Sequence, residues 1–95
     1  MKTIQNEVQE IEKLEVDTLQ AILNGQKEKV IKLFKKVERK FIQGNVYTRS
    51  IISSLFISPL SKLLEMNYSW GKEYLDLFPK QIRTEYSRQI YSSGI

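Results

Sequence analysis

Neither cysteine nor histidine occurs in the 95 residues. The first absence excludes disulfides, thiolate zinc sites and cysteine nucleophiles, and the second removes the commonest general base and the commonest transition-metal ligand. Most familiar catalytic constellations are closed by these two facts, so an enzyme is not expected and neither is a bound metal or cofactor. Proline (two) and glycine (four) are scarce as well, and the few that occur punctuate the chain. A long apolar run is also missing. The longest weakly charged stretch, residues 50–61, is rich in serine, contains Pro59 and falls short of the roughly 20 residues a membrane span needs. At the start of the chain Glu7, Glu10, Glu12, Glu15 and Asp17 alternate with isolated apolar residues, unlike the basic and then apolar order of a secretory leader. The expectation is a cytoplasmic protein that does not engage membranes.

What is present is ordinary globular material. With 41% hydrophobic and 27% charged residues the chain is neither disordered nor fibrous. Residues 1–95 suit a single helical domain, which buries about 60–65% of its unfolded surface at this size. The clearest pattern is Val30, Leu33, Phe34, Val37 and Phe41, spaced i, i+3, i+4, i+7, i+11 on one stripe of a helix. Asn24-Gly25 and Gly44-Asn45 bracket that helix, and both glycines are expected to take the left-handed conformation that closes a helix. In the preceding segment Ile4, Val8, Ile11, Leu19, Ile22 and Leu23 again show helical spacing, with Glu15 projecting into the stripe. Glu15 is either a solvated end whose stem packs or an acid that faces a partner.

Beyond Gly44 the chain is apolar nearly throughout from Val46 to Met66, as a central, buried helix would be. Pro59 interrupts it. Ser58-Pro59 suits an N-cap and first helical position, which predicts a break there rather than one kinked helix. Asn67-Tyr68-Ser69 reads as a turn. It leads to a short piece with Trp70, Tyr74 and Phe78 at i, i+4, i+8, and Pro79 opens a last helix with Ile82, Tyr86 and Ile90. Strand alternation is absent. The fold class is all-α, four to six short helices in an irregular bundle or a helical-repeat-like stack.

Charge is distributed unevenly: −3 over residues 1–24, +5 over 25–44 and +2 over 45–95. Lys29, Lys32, Lys35, Lys36, Arg39 and Lys40 occupy an arc of roughly 140° opposite the apolar stripe of their helix. Such a face can contact phosphates, but lysines beside an acidic helix are also what a solvated surface looks like. No aromatic residues interleave with them as in a single-strand stacking groove, so nucleic acid is the second reading. Tyr68, Trp70, Tyr74, Phe78, Tyr86 and Tyr91 instead gather in the last thirty residues with Arg83 and Arg88. Tyr, Trp and Arg dominate interface hot spots. Carboxylate pairs such as Glu73 and Asp76 carry no accompanying catalytic motif, and the serines at 50, 53, 54, 58 and 61 have no histidine base.

The stretch VIKLFKKVERKFIQGNVYTRSIISSLFISPL, followed by LDLFPKQIRTEY, resembles small all-helical bacterial immunity proteins that accompany polymorphic toxins, including those of contact-dependent growth inhibition systems. The resemblance covers residues 30–86 and rests mostly on core positions and a helix-terminating glycine. It implies a cytoplasmic protein that binds the toxin domain of its own system, such as a nuclease, and blocks its active site or substrate access. Nuclease toxins are usually basic and their inhibitors acidic, whereas this chain carries +4. The contact must then use the acidic first helix, the aromatic C-terminal third or an acidic region of the toxin. Tyr68, Trp70, Glu73, Tyr74 and Asp76, which combine aromatic anchors with acids, are the candidate partner-binding residues. The alternative is a nucleic-acid-binding or regulatory protein acting through Lys29, Lys32, Lys36, Arg39 and Lys40.

Overall fold

The apolar stripes close into helices that pack around one core. A computed structural model describes residues 4–93, with side chains described from 6 to 91. Its elements are α1 (Ile4–Leu23), α2 (Lys27–Gln43), α3 (Val46–Ile52), a π-helical turn (Ser53–Ile57), α4 (Ser58–Met66), α5 (Tyr68–Leu75) and α6 (Lys80–Ser93). The described residues contain no strand, and the protein is an all-α single domain. A radius of gyration of 12.8 Å matches the about 13 Å of a compact chain of this length.

The predicted α2 stripe is the core stripe: Val30, Phe34, Val37 and Phe41 are all buried. Gly25 takes the left-handed conformation at φ 70°, and the Gln26 N–H bonds back to the Ala21 carbonyl at 2.9 Å, so α1 reverses into α2 within three residues. Gly44 corrects the second expectation. It is extended (φ −83°, ψ 163°), and the start of α3 is fixed instead by the Asn45 side chain, whose Oδ1 accepts from the Thr48 N–H at 3.0 Å.

In α1 the buried line runs through Ile11, Leu14, Thr18, Ala21 and Ile22, while Leu23 is exposed. The side chain of Ile4 lies outside the described residues. Thr18 can enter the core because its hydroxyl donates to the Leu14 carbonyl at 2.7 Å, which satisfies the polar group locally. Glu15 therefore sits on the flank of the stripe rather than within it, half-buried, and that burial raises its carboxyl pKa.

The expected break at Ser58 does not occur. Ile52, Ser53, Ile57 and Ser58 all keep right-handed helical angles, and the Ser58 N–H reaches back five residues to the Ser53 carbonyl. Proline in a helix clashes with the carbonyl four residues earlier, here that of Leu55, and a widened turn relieves the clash without ending the helix. The run from Val46 to Met66 is thus continuous. The π turn also lies at the centre of the molecule, with Phe56 and Ile57 fully buried and both α1 and α6 packed against it. From α6, Gln89 Nε2 donates to the Ser53 carbonyl at 2.9 Å, and the Ser53 hydroxyl donates to Glu85 Oε2 at 2.9 Å. The proline and these long-range bonds together select the π geometry.

Aromatic rings bind the layers. Phe34 of α2 meets Phe56 of the π turn edge-on at 6.3 Å and Phe78 at 5.1 Å, and Phe78 meets Tyr86 of α6 at 5.5 Å. The Tyr86 hydroxyl completes this line by donating to the Glu65 carboxylate of α4. Burial, then that hydrogen bond, then the Glu65 charge push the Tyr86 pKa far above its ordinary value. A raised folded-state pKa means that the native protein holds this proton more tightly than the unfolded chain. Its contribution is fully present below about pH 10, the unfolded value, and is lost as pH rises through the folded one. Tyr86→Phe is expected to cost about 1 kcal/mol at neutral pH. Urea midpoints measured from about pH 8 to 11 should also fall less steeply for the variant; parallel profiles would show that the Tyr86–Glu65 contact contributes nothing.

Candidate functional site

Three surfaces carry the exposed chemistry. The first is the corner between α4 and α5. Asn67 alone separates the two helices, its Nδ2 donating to the Leu63 carbonyl at 2.9 Å and its own carbonyl accepting from the Gly71 N–H at 2.7 Å. Gly71 is buried against α4 so closely that a Cβ there would lie 2.1 Å from the Leu64 carbonyl oxygen. With both helices fixed, the corner presents Met66, Tyr68 and Trp70, which are 82%, 56% and 37% exposed.

The five candidate residues divide at this corner. Tyr68 and Trp70 are exposed, Tyr68 as the first residue of α5 rather than part of a preceding turn. Tyr74 is only 7% exposed. It belongs to the core with Phe78, because the close α4–α5 approach turns this side of α5 inward, and it offers no surface to a partner. Glu73 is exposed and ion-paired with Lys27 at the start of α2. Asp76 is exposed, and its backbone carbonyl accepts from Arg83 Nη2 at 2.6 Å. Met66 was not anticipated, since it ends an apolar run that reads as buried throughout. The only signal was its position beside the helix-ending Asn67.

The second surface is the outer face of α2. Lys29, Lys32, Lys35, Lys36 and Arg39 are exposed, and among the described residues none of them forms an ion pair. Lys40 does not belong with them: it is half-buried and bonds Glu10 of α1 at 3.0 Å, so the acidic helix neutralises one end of the basic face.

The third is an open cleft of about 640 Å³ between the end of α2, the start of α3 and α6. Its walls include Ile42, Val46, Arg49 and Arg88. None of these was singled out as a partner-binding candidate, because Val46 reads as the first turn of a buried helix and Ile42 lies off the α2 stripe. Only the packing of α6 across α2 and α3 assembles them.

Among the described residues no group of three or more acidic or other metal-ligating side chains could hold a metal ion, and no helix is long and apolar enough to cross a membrane. Every buried side-chain polar atom that is described has a hydrogen-bond partner, so the interior holds no strained polar group waiting for a ligand. Fold and surfaces define a small all-α domain whose unsatisfied chemistry lies on open faces. Within that class the chain belongs to the family described as a domain of unknown function (DUF7674), whose model matches residues 3–92. No curated protein and no solved structure matches the chain.

Proposed function

We propose that the chain is an immunity protein, which neutralises a cognate bacterial toxin domain by stoichiometric binding and uses the α4–α5 corner as its contact. The observation that carries this reading is the exposure of Met66, Tyr68 and Trp70 on a corner whose two helices are locked by the Gly71–Leu64 approach. Interface affinity concentrates in aromatic residues, and a rigid frame spares the ordering cost of binding. Glu65 and Asp76 beside the corner place acids next to the aromatic residues although the net charge is +4, and local potential rather than net charge steers association with a basic toxin.

The test is co-expression with the toxin domain encoded beside the gene. The wild-type chain should protect cells and co-purify with the toxin. Combining Tyr68→Ala with Trp70→Ala should weaken binding by at least about thirtyfold, which corresponds to about 2 kcal/mol, while the melting temperature holds. Full protection by the double variant, or the absence of any toxic neighbour, would overturn the proposal. A second reading, nucleic-acid binding through α2, draws on the unpaired exposure of Lys29, Lys32, Lys36 and Arg39. The same preparation decides against it if duplex DNA fails to bind at physiological salt. Affinity that falls steeply with log salt and vanishes when Lys32, Lys36 and Arg39 are all changed to Glu would favour it instead.

A further inference from the structure

The α2–α3–α6 cleft has no part in the corner proposed above, yet its composition is specific. It is open to solvent and has a volume of about 640 Å³. One wall is apolar, and on it Ile42 and Val46 are 53% and 78% exposed. Their exposure is unfavourable in the free protein and is relieved by any apolar group laid against them.

Cations border that wall. Arg49 is held in place by Nε donating to the Phe41 carbonyl at 3.1 Å and Nη2 to the Ile42 carbonyl at 3.4 Å, with its guanidinium 5.6 Å above the Phe41 ring. Two of the five guanidinium N–H groups are engaged in this way, and the others remain for a ligand. Arg88 lines the opposite side with its side chain largely in solvent. Ile42 also borders a shallower groove with Lys35 and Arg39, so basic groups continue beyond the cleft along α2.

The acids of this region are already committed. Glu85 accepts from Ser53 at 2.9 Å and pairs with Arg88 at 3.5 Å, and Glu38 accepts the Gln81 backbone N–H at 2.9 Å. The surface therefore offers positive charge and exposed apolar area side by side.

We propose that this cleft docks an acidic amphipathic segment of a partner protein. Apolar side chains of the segment cover Ile42 and Val46, and its carboxylates bond the free donors of Arg49 and the Arg88 head. The occupant follows from charge complementarity. A nucleic-acid backbone would engage the arginines and leave the apolar wall wet, whereas an acidic amphipathic peptide engages the arginines and also covers Ile42 and Val46. The assignment stands independently of the corner and of what the corner binds.

The experiment uses the full chain and a fluorescein-labelled helical peptide of roughly 14 residues, enough for about four turns, with a Leu/Phe stripe flanked by Glu. Fluorescence anisotropy at about 150 mM salt, where long-range attraction is screened, should give saturable binding. Replacing every Glu of the peptide by Gln should weaken it about tenfold or more, and replacing every Glu by Lys should abolish it. Val46→Glu and Arg88→Glu in the protein should each reduce binding, and Lys72→Ala, exposed and outside the cleft lining, should leave it unchanged. Both cleft positions are exposed, and a melting curve checks that the variants fold. Equal binding of the Glu and Gln peptides, undiminished binding by the cleft variants, no binding at all, or preference for a DNA duplex would each overturn the proposal.

Discussion

Gly71→Ala should destabilise the protein by at least about 3 kcal/mol, beyond the ordinary range for overpacking. Helix propensity alone gives the opposite sign, since alanine in place of an interior glycine contributes about 1 kcal/mol of stability. Geometry decides between them. A Cβ at Gly71 would lie 2.1 Å from the carbonyl oxygen of Leu64, 2.7 Å from its carbonyl carbon and 2.8 Å from its Cα. All three are backbone atoms in the last turn of α4, so no rotamer change can clear the space. Either α5 moves off α4 or the chain does not fold. For 95 residues at the usual 0.05–0.15 kcal/mol per residue, total stability is about 5–14 kcal/mol, so the loss is a large share. Urea denaturation of Gly71→Ala beside the exposed neighbour Lys72→Ala, expected within about 0.5 kcal/mol of wild type, makes the comparison. A Gly71→Ala protein as stable as wild type would show that the two helices are not in backbone contact. If the variant folds in part, it should also lose partner binding, because the placement of Trp70 depends on the same approach.

This contact explains why the corner was only half legible in the sequence. Trp70, Tyr74 and Phe78 share a spacing that names a common face, but spacing cannot tell how a neighbouring helix is rotated against it. Gly71 seats α5 on α4 so that Tyr74 turns inward while Trp70 remains at the rim, and α5 ends at Leu75, so that Phe78 enters the core from the connection to α6. The α2 stripe was readable because four residues of a long helix all answer to one core. In α1 the apolar residues alone misplace the buried line, since Thr18 and Ala21 lie on it and Leu23 does not. A short hydroxyl satisfied by its own helix is as good a core residue as a small hydrophobe, and hydrophobicity patterns overlook it. Pro59 misled for a related reason. The local rule for proline predicts a break, but the bonds of Ser53 with Gln89 and Glu85, 36 and 32 residues further along the chain, hold the wide turn that lets the helix continue. The cleft was not legible at all, because its walls come from three helices whose crossing no local pattern specifies.

The charge pattern gains meaning once the helices are placed. The acidic α1 and basic α2 are neighbours, yet between them the Lys40–Glu10 pair is one bond at 3.0 Å and leaves most of the α2 cations to solvent. A single partly exposed pair of this kind contributes about 0–1 kcal/mol, so the arrangement adds little to stability and mainly shapes the field outside. That field is positive along α2 and around the cleft and mixed at the aromatic corner. The two proposed contacts, a basic toxin domain at the corner and an acidic segment at the cleft, use different surfaces and are therefore compatible on one small molecule.

Phe34→Ala should cost about 3–5 kcal/mol, the range for deleting a buried phenylalanine. The residue is fully enclosed and is the one ring that touches both Phe56 in the π turn and Phe78 ahead of α6. Removing it opens a cavity where α2, the π turn and the α5–α6 connection meet, and close collapse is hindered because the π turn is itself held by α1 and α6. Phe34→Leu keeps most of the volume and should cost clearly less. The pair Phe34→Ala and Phe78→Ala gives the sharper measurement. Their rings lie 5.1 Å apart with planes tilted by 57°, a geometry worth about 0.5–1.5 kcal/mol beyond burial, so the double variant should lose less than the two single losses combined by about that amount. Strict additivity in chemical denaturation would mean that the two rings fill separate parts of the core. A Phe34→Ala protein within about 1 kcal/mol of wild type would mean that the core can close over the gap, and that the π turn is less firmly seated than its bonds to α6 imply.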